Sequence, residues 1–233
     1  MSSLNVLSGG AVQGLVGGLS SAFKAQTGLN IAGEFGAVGA MAEKLRGGTP
    51  ADMVILTSAV VAKLAEEKLV VAASMADVGL VETALAVRTG DPQVTVSNTA
   101  GLRDALLAAD AIFVPDTKAS TAGIHVAKVL DQLGIADVVA ARLRIFPNGA
   151  TAMRELAATE ARRPIGCTQS TEIISTKGVT LSGSLPLGCE LATMYTAGIT
   201  TVAIHARQAQ DLIDLLTGAG HHEQRKRAGF ISA

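Results

Sequence analysis

Apolar residues along the chain alternate between short continuous runs and stretches with helical spacing. The runs "LNVLS" and "AIFVPD" have the length and composition of buried strands. Residues 11–26 instead place apolar side chains at intervals of three and four, which predicts an amphipathic helix. The pattern predicts further strands at "LNIAGEFG", "ADMVILT", "ARLRIFP" and "RPIGCTQ", and further helices at 38–46, "SAVVAKLAEEK", "GLRDALLAA", "TAGIHVAKVLDQLG", "GATAMRELAATEA" and 206–217. Strands alternating with helices indicate βαβ units and an α/β fold.

The alternation occurs twice, and two long extended stretches separate the repeats. "VGLVETALAVRTG" follows the first half, and "CELATMYTAGITTVA" follows the second. We therefore predict two α/β domains with mostly parallel sheets, joined by two crossing segments. Domain I comprises 1–82 plus 196–233, and domain II is the insertion 83–195. Ligands of open α/β sheets bind beyond the carboxyl ends of the strands, so a ligand cleft is expected between the domains.

Composition excludes several classes of protein. The 233 residues are 48% hydrophobic and carry a formal net charge of −1, which argues against a disordered chain and against a nucleic-acid partner. No apolar run reaches the ~18 residues that a bilayer span requires. The start "MSSLNVLSGG" lacks the features of a signal peptide, which predicts a cytoplasmic protein, or a periplasmic one if a signal has been removed.

Cysteine and histidine usage gives no sign of a disulfide framework or of a metal site. Cys167 lies in an apolar run and is interpreted as a small buried strand residue, and a second cysteine is Cys189. The pair His221 and His222 has no further ligand in range, so no metal is expected. Neither a P-loop nor a dinucleotide fingerprint occurs, and no cofactor is predicted.

Small and hydroxyl residues recur at the junctions where a predicted strand gives way to a helix. Helix N-termini leave N–H groups unpaired and carry partial positive charge, so several of them around one cleft would bind an anion without lysine or arginine. The alternative for each junction alone is an ordinary N-cap or turn. The predicted ligand-binding residues are Ser8, Gly9, Gly10, Thr57, Ser120, Thr121, Ala122, Gly149, Thr151 and Gln169.

The order of elements and several motifs resemble the type II periplasmic solute-binding proteins, specifically the molybdate-binding-protein-like group. The similarity covers nearly the whole chain and rests on "LNVLSGGAVQGL", "EFGAVGAMAEKLRGGTPADMVILT", "ASTAGIHVAKVLDQLGI", "IGCTQSTEI" and "RAGF". It implies two α/β domains that close over a bound anion. For an exported protein, it also implies delivery of the solute to the membrane subunits of an ABC transporter.

The motifs depart from the molybdate binders where those proteins hold the anion. The resemblance implies serine side chains in the first two loops and a tyrosine in the last. This chain has Ala11, then Ala37 or Val38, and Gln169 near the tyrosine position. Since each buried hydrogen bond to a charged group contributes about 1.5–3 kcal/mol, the sequence favours a small organic carboxylate or another oxyanion over molybdate.

Two functions from different classes stay open. The first is a solute-binding protein, which needs no titrating group in its cleft. The second is a cytosolic isomerase of a small unsaturated carboxylate, because some members of the group resemble aconitate isomerase. Moving a double bond by allylic proton transfer needs a general base and acid, and His125 and Glu172 are the candidates. The structural alternatives are a first-turn residue for His125 and a helix-start acid for Glu172.

Overall fold

The structure is a computed structural model that describes residues 3–231. It divides into two compact units: unit 1 comprises Met1–Val81 with Thr193–Ala233, and unit 2 comprises Glu82–Ala192. Each unit has its own sheet, helices and hydrophobic core, as an α/β domain requires. The predicted α/β class is confirmed.

Strands and helices alternate through most of both units. The strands are β1 (Ser3–Gly9), β2 (Asn30–Gly36), β3 (Met53–Thr57), β4 (Ala76–Arg88), β5 (Ala111–Pro115), β6 (Leu143–Phe146), β7 (Pro164–Gln169), β8 (Val179–Ser184) and β9 (Ala192–Ile199). The helices are α1 (Gln13–Thr27), α2 (Val38–Arg46), α3 (Ser58–Glu66), α4 (Thr99–Ala108), α5 (Thr121–Gln132), α6 (Ala136–Val139), α7 (Gly149–Ala158), α8 (Ser170–Ser175), α9 (Ala206–Thr217) and α10 (His222–Arg227).

The sheet of unit 1 combines parallel strands with an antiparallel return strand. Its order is β2-β1-β3-β9-β4, with β1 parallel to both β2 and β3, and β9 antiparallel to β3. Helix α1 buries Leu15, Leu19 and Phe23 in the core of this unit, which agrees with the predicted apolar stripe. The C-terminal ends of β1 and β3 therefore meet at one edge.

The sheet of unit 2 has parallel strands at its centre. Its order is β4-β7-β5-β6, with β5 parallel to β6 and β7, while β7 and β8 both pair antiparallel with β4. Strand β5 is buried on both faces: Ile112 and Val114 enter one hydrophobic cluster, and Ala111 and Phe113 enter the other. Burial on both faces explains why its sequence is continuously apolar rather than alternating.

The structure places most predicted elements close to their expected positions and adds some that the pattern did not predict. Helices α2 and α9 have the expected bounds. A 3-10 turn at Gly10–Val12 precedes α1, so the first α-helical residue is Gln13 rather than residue 11. Strand β8 was not predicted, because six residues are too short for a clear period, whereas α8 begins at the junction where the sequence placed Glu172 as a helix-start acid.

Asp52 connects three parts of unit 1 from a buried position. Its side-chain Oδ2 accepts the Asn5 N–H at 2.8 Å, and Oδ1 accepts the N–H groups of Ile204 and His205, both at 2.9 Å. His205 is the N-cap residue of α9, so the carboxylate fixes the start of that helix beside β1 and β3. Asp52 is only 2% exposed, so water cannot replace these bonds without unfolding.

Replacing Asp52 with alanine is expected to lower the free energy of unfolding of unit 1 by about 3 kcal/mol, because three buried N–H groups lose their acceptor. Urea unfolding followed by circular dichroism measures the change. The exposed Glu66→Ala in α3 is the control, for which a change within about 0.5 kcal/mol is expected. Equal changes for the two variants would contradict a structural role for the buried carboxylate.

Candidate functional site

In unit 2, two neighbouring parallel strands end beside each other and are each followed by a helix. Strand β5 leads through residues 116–120 into α5, and β7 leads directly into α8. The register that pairs Ala111 with Pro164 and Phe113 with Gly166 brings the C-terminal ends of both strands to one edge. This edge is where an open α/β sheet binds ligands.

The turn before α5 is held closely against the end of β5. Asp116 Oδ1 accepts the N–H groups of Lys118 and Ala119 at 2.7 and 3.0 Å, and the Asp116 carbonyl accepts the Ser120 N–H at 3.1 Å. A Cβ on Gly123 would lie 2.2 Å from the Asp116 carbonyl oxygen, so only glycine allows this approach. The helix start is thus fixed by its own turn.

Three of the predicted ligand residues form the start of α5. Ser120 is the N-cap residue, with extended backbone angles and a buried side chain that makes no capping hydrogen bond among the described residues. Thr121 is half-buried, and Ala122 is fully buried. The first N–H groups of a 12-residue helix have no partners within the helix, and its dipole favours an anion there.

The start of α7 is already bound to side chains of the chain itself. Asn148, its N-cap residue, accepts the Thr151 N–H at 2.8 Å. Glu172 in α8 accepts the N–H groups of Gly149 and Ala150 through its carboxylate. The predicted donors Gly149 and Thr151 therefore have side-chain acceptors in this structure, and their role towards a ligand stays a prediction.

Glu172 is a buried acid surrounded by hydrogen-bond donors. Besides the two α7 groups, its carboxylate accepts the Gln169 N–H, and Oε2 accepts the Thr168 hydroxyl at 2.6 Å. Burial raises the pKa of Glu172, and the four hydrogen bonds oppose that rise. A Cβ on Gly149 would lie 1.9 Å from Glu172 Oε2, so glycine at this position is what admits the carboxylate.

Beside this acid lie side chains whose polar atoms are buried without partners. Gln169 and Thr171 are each only 3% exposed, and Thr83, which is paired with Gln169 in the β4–β7 register, is 1% exposed. Neither polar atom of the Gln169 amide, nor the hydroxyl of Thr171 or Thr83, has a hydrogen-bond partner within residues 3–231. Because native proteins pair almost all buried polar groups, a bound water or ligand at these atoms would supply the missing hydrogen bonds.

Two further residues considered in unit 2 are His125, which contacts the loop before β9, and Cys167, which lies in the hydrophobic core. His125 Nε2 lies 2.8 Å from the carbonyl oxygen of Cys189, so Nε2 donates its proton to that carbonyl. Cys167 is a free, buried residue of β7, which confirms its interpretation as a small buried strand residue, and burial raises the pKa of its thiol to about 12.

The predicted residues of unit 1 lie at the C-terminal ends of β1 and β3. Ser8 is fully buried within β1, and its hydroxyl donates to the Gly9 carbonyl at 3.0 Å. Gly10 begins the 3-10 turn, and Thr57 is the N-cap residue of α3. These positions stay predictions as ligand contacts, since the hydroxyl of Ser8 is engaged by its own backbone.

Tyr195 also belongs to this part of unit 1, although the sequence analysis did not select it. It is 2% exposed, pairs with Thr57 across β3 and β9, and would lie 2.9 Å from a Cβ on Gly9. Its ring therefore forms one wall beside the end of β1. Tyr195 is the one tyrosine of the sequence, but its position in the chain does not show that it lies near the end of β1. That placement follows from the antiparallel pairing of β9 with β3.

Residues 3–231 contain neither a cluster of three potential metal ligands nor a helix long and apolar enough to cross a membrane.

Comparison with known proteins places this geometry among related folds. A family model described as bacterial extracellular solute-binding protein matches residues 4–231. The aconitate isomerase of a Pseudomonas species is 24% identical over 226 residues, which cover 93% of this chain and 82% of that relative. The periplasmic molybdate-binding protein of Azotobacter vinelandii superposes with a TM-score of 0.82 at 18% identity, covering 99% of both chains. A sulfate-binding protein from Mycobacterium tuberculosis gives a TM-score of 0.76 at 17% identity, covering 99% of this chain and 86% of the other.

Proposed function

The chain belongs to the bacterial extracellular solute-binding protein family, and on that basis we propose that it binds a small anion, an organic carboxylate or an oxyanion. The molybdate-binding-like resemblance seen in the sequence agrees with the structural likenesses, which concern the fold. The observation that carries the proposal is the buried Gln169 amide without partners at the end of β7. A ligand oxygen bound there would satisfy its donor.

The start of α5 also supports anion binding. Its dipole and first-turn N–H groups favour negative charge, and its small residues let a ligand reach the backbone. The side chain of Gln169 adds a neutral donor and acceptor, and Thr171 adds a hydroxyl. An anion bound by these groups needs no lysine or arginine.

The ligand screen that tests the proposal is a thermal-shift panel on the purified protein. The panel contains molybdate, tungstate, sulfate, phosphate and a series of mono-, di- and tricarboxylates. Binding to the folded state raises the unfolding midpoint by mass action, and calorimetry then gives Kd. A saturable shift with a carboxylate or an oxyanion other than molybdate is expected. The absence of any shift across the panel at millimolar concentration would contradict anion binding.

Thr121→Val is expected to weaken binding of the best anion by about tenfold while changing stability by less than about 1 kcal/mol. The substitution removes one hydroxyl at the start of α5 and keeps the side-chain shape. Thr99→Val is the matched control, because Thr99 opens α4, whose start is capped by Asn98. Equal Kd values for the two variants would remove Thr121 from the site.

A second candidate function is isomerisation of a small unsaturated carboxylate. It is favoured by the likeness to aconitate isomerase over 93% of this chain. Of the two candidate groups, Glu172 is buried and already accepts the Thr168 hydroxyl, whereas His125 is half-buried and faces the Cys189 carbonyl with Nε2 and not with Nδ1. His125 is therefore the better base.

Proton NMR of cis- and trans-aconitate with the protein tests this alternative. Interconversion that is lost in His125→Asn would establish isomerisation. Saturable binding without conversion would contradict isomerisation and support the solute-binding function. For an exported form, the proposal further implies the membrane subunits of an ABC transporter as the partner.

A further inference from the structure

Gln169 and Thr83 are neighbours on the face of the unit 2 sheet that α5 covers. Paired residues of adjacent strands point to the same face, and successive residues of one strand point to opposite faces. The next pair along this ladder, Leu85 with Cys167, belongs to the hydrophobic cluster that includes Val126 of α5. Gln169 and Thr83 each lie two residues from that pair in their strands, so both side chains face α5 as well.

The polar atoms of both side chains are buried, and the rest of the described chain leaves them unsatisfied. Within residues 3–231, Oε1 and Nε2 of Gln169 and the hydroxyl of Thr83 have no hydrogen-bond partner. The backbone of Thr83 is fixed, because its N–H donates to the Leu191 carbonyl at 2.9 Å and its carbonyl accepts the Leu185 N–H at 3.3 Å. The unsatisfied groups therefore belong to side chains of a well-anchored strand pair.

A group that satisfies this pair of side chains must donate hydrogen bonds as well as accept them. Nε2 of Gln169 needs an acceptor, Oε1 needs a donor, and the Thr83 hydroxyl takes either role. Water and an alcohol hydroxyl meet both needs, whereas a carboxylate or a fully deprotonated oxyanion only accepts. A ligand group that displaces water here without supplying a donor would leave Oε1 unpaired and lose affinity.

We propose that the ligand is a small hydroxycarboxylate, whose hydroxyl lies between Gln169 and Thr83 and whose carboxylate lies at the start of α5. The inference rests on the proposed anion binding, and it names the ligand class. The start of α5 and the end of β7 belong to the same edge of the sheet, so one small molecule contacts both. An ammonium group in place of the hydroxyl would donate to Oε1 but could not accept from Nε2. Thr83, which the sequence analysis did not select, is thus a specificity-determining residue.

Two series of ligands that differ at one carbon of a shared skeleton test the inference. Racemic lactate, racemic alanine and propionate carry a hydroxyl, an ammonium group and a hydrogen there, and malate, aspartate and succinate form the dicarboxylate series. Titration calorimetry at neutral pH and constant ionic strength gives Kd for each ligand with the wild type and with Thr83→Val. Thr180→Val is the matched control, because Thr180 lies in β8, which also pairs with β4, and its hydroxyl lies 3.3 Å from that of Thr89.

The wild type and Thr180→Val are expected to bind the hydroxy acid of a series about tenfold tighter than the acid without a hydroxyl, or about 1.4 kcal/mol. Thr83→Val is expected to lose most of that preference, because its affinity falls for the hydroxy acid alone. The same preference in Thr83→Val and Thr180→Val would overturn the inference. So would equal Kd values within a series in the wild type, or tightest binding of the amino acid, and this wild-type comparison decides alone if Thr83→Val does not fold.

The same measurements separate the inference from the proposed function. Binding of an oxyanion from the thermal-shift panel, with no binding of any of the six carbon-based ligands, would overturn the inference and leave the proposed function intact. Absence of binding for every anion of the panel and of both series would instead contradict the proposed function.

Discussion

Replacing Gly149 with alanine is expected to lower the free energy of unfolding of unit 2 by about 3 kcal/mol or more. The new Cβ would lie 1.9 Å from Glu172 Oε2 and 2.2 Å from the Thr168 hydroxyl oxygen, so the carboxylate must leave its position. A buried acid separated from its donors is among the most destabilising changes that one substitution makes. Urea unfolding of the free protein measures the effect.

Gly101→Ala provides the matched control for this prediction. Gly101 lies in the first turn of α4, and a Cβ there would be 3.5 Å from Asn98 Oδ1, an ordinary contact. Alanine favours the helix over glycine by about 1 kcal/mol, so this variant is expected to be as stable as the wild type or more stable. Similar losses of stability in both variants would show that the close approach of Glu172 to α7 is not what requires glycine.

Replacing Gln169 with leucine is expected to have the largest effect on binding. The substitution removes the buried amide donor, which contributes about 1.5–3 kcal/mol towards a charged ligand, and Kd is expected to rise about 100-fold. The free protein is expected to keep its stability or gain about 1 kcal/mol, because buried polar atoms without partners disappear. Calorimetry and urea unfolding on the same preparation measure both changes.

The control for Gln169 is Gln132→Leu. Gln132 is exposed, and its side-chain amide donates to the Gly188 carbonyl at 2.9 Å. The Gln132→Leu variant therefore removes the same type of amide group outside the candidate site. Its Kd is expected to equal that of the wild type. A Gln169→Leu variant that binds as tightly as the wild type but unfolds more easily would show that the amide serves the fold and not a ligand.

The sequence predicts the elements well where the pattern is long and the packing is regular. The strand β5 could be recognised because burial on both faces makes it continuously apolar, and α9 because its buried residues Leu212, Ile213 and Leu216 follow a helical period. Of helix α8 only the start could be recognised, from Glu172 as a helix-start acid, since six residues do not establish a period. Its position nevertheless decides where Glu172 and Gln169 lie.

The candidate site could be predicted only in part, because its groups come together through register and tertiary packing. Sequence spacing identified Gly149 as a helix start and Glu172 as a helix-start acid, but not that the acid of α8 binds the start of α7. The pairing of Thr83 with Gln169 depends on the antiparallel register of β4 and β7. Tyr195 reaches the end of β1 through the same kind of register in unit 1.

The most direct test of anion binding at the end of β7 is an NMR titration of ¹⁵N-labelled protein with the tightest anion of the panel. The Gln169 side-chain amide signal, assigned by its absence in Gln169→Leu, is followed together with the backbone N–H signals of Thr121 and Ala122. Saturable shifts of all three signals with one shared Kd are predicted. Saturable binding that leaves the Gln169 side-chain signal unmoved would contradict the assignment of this site.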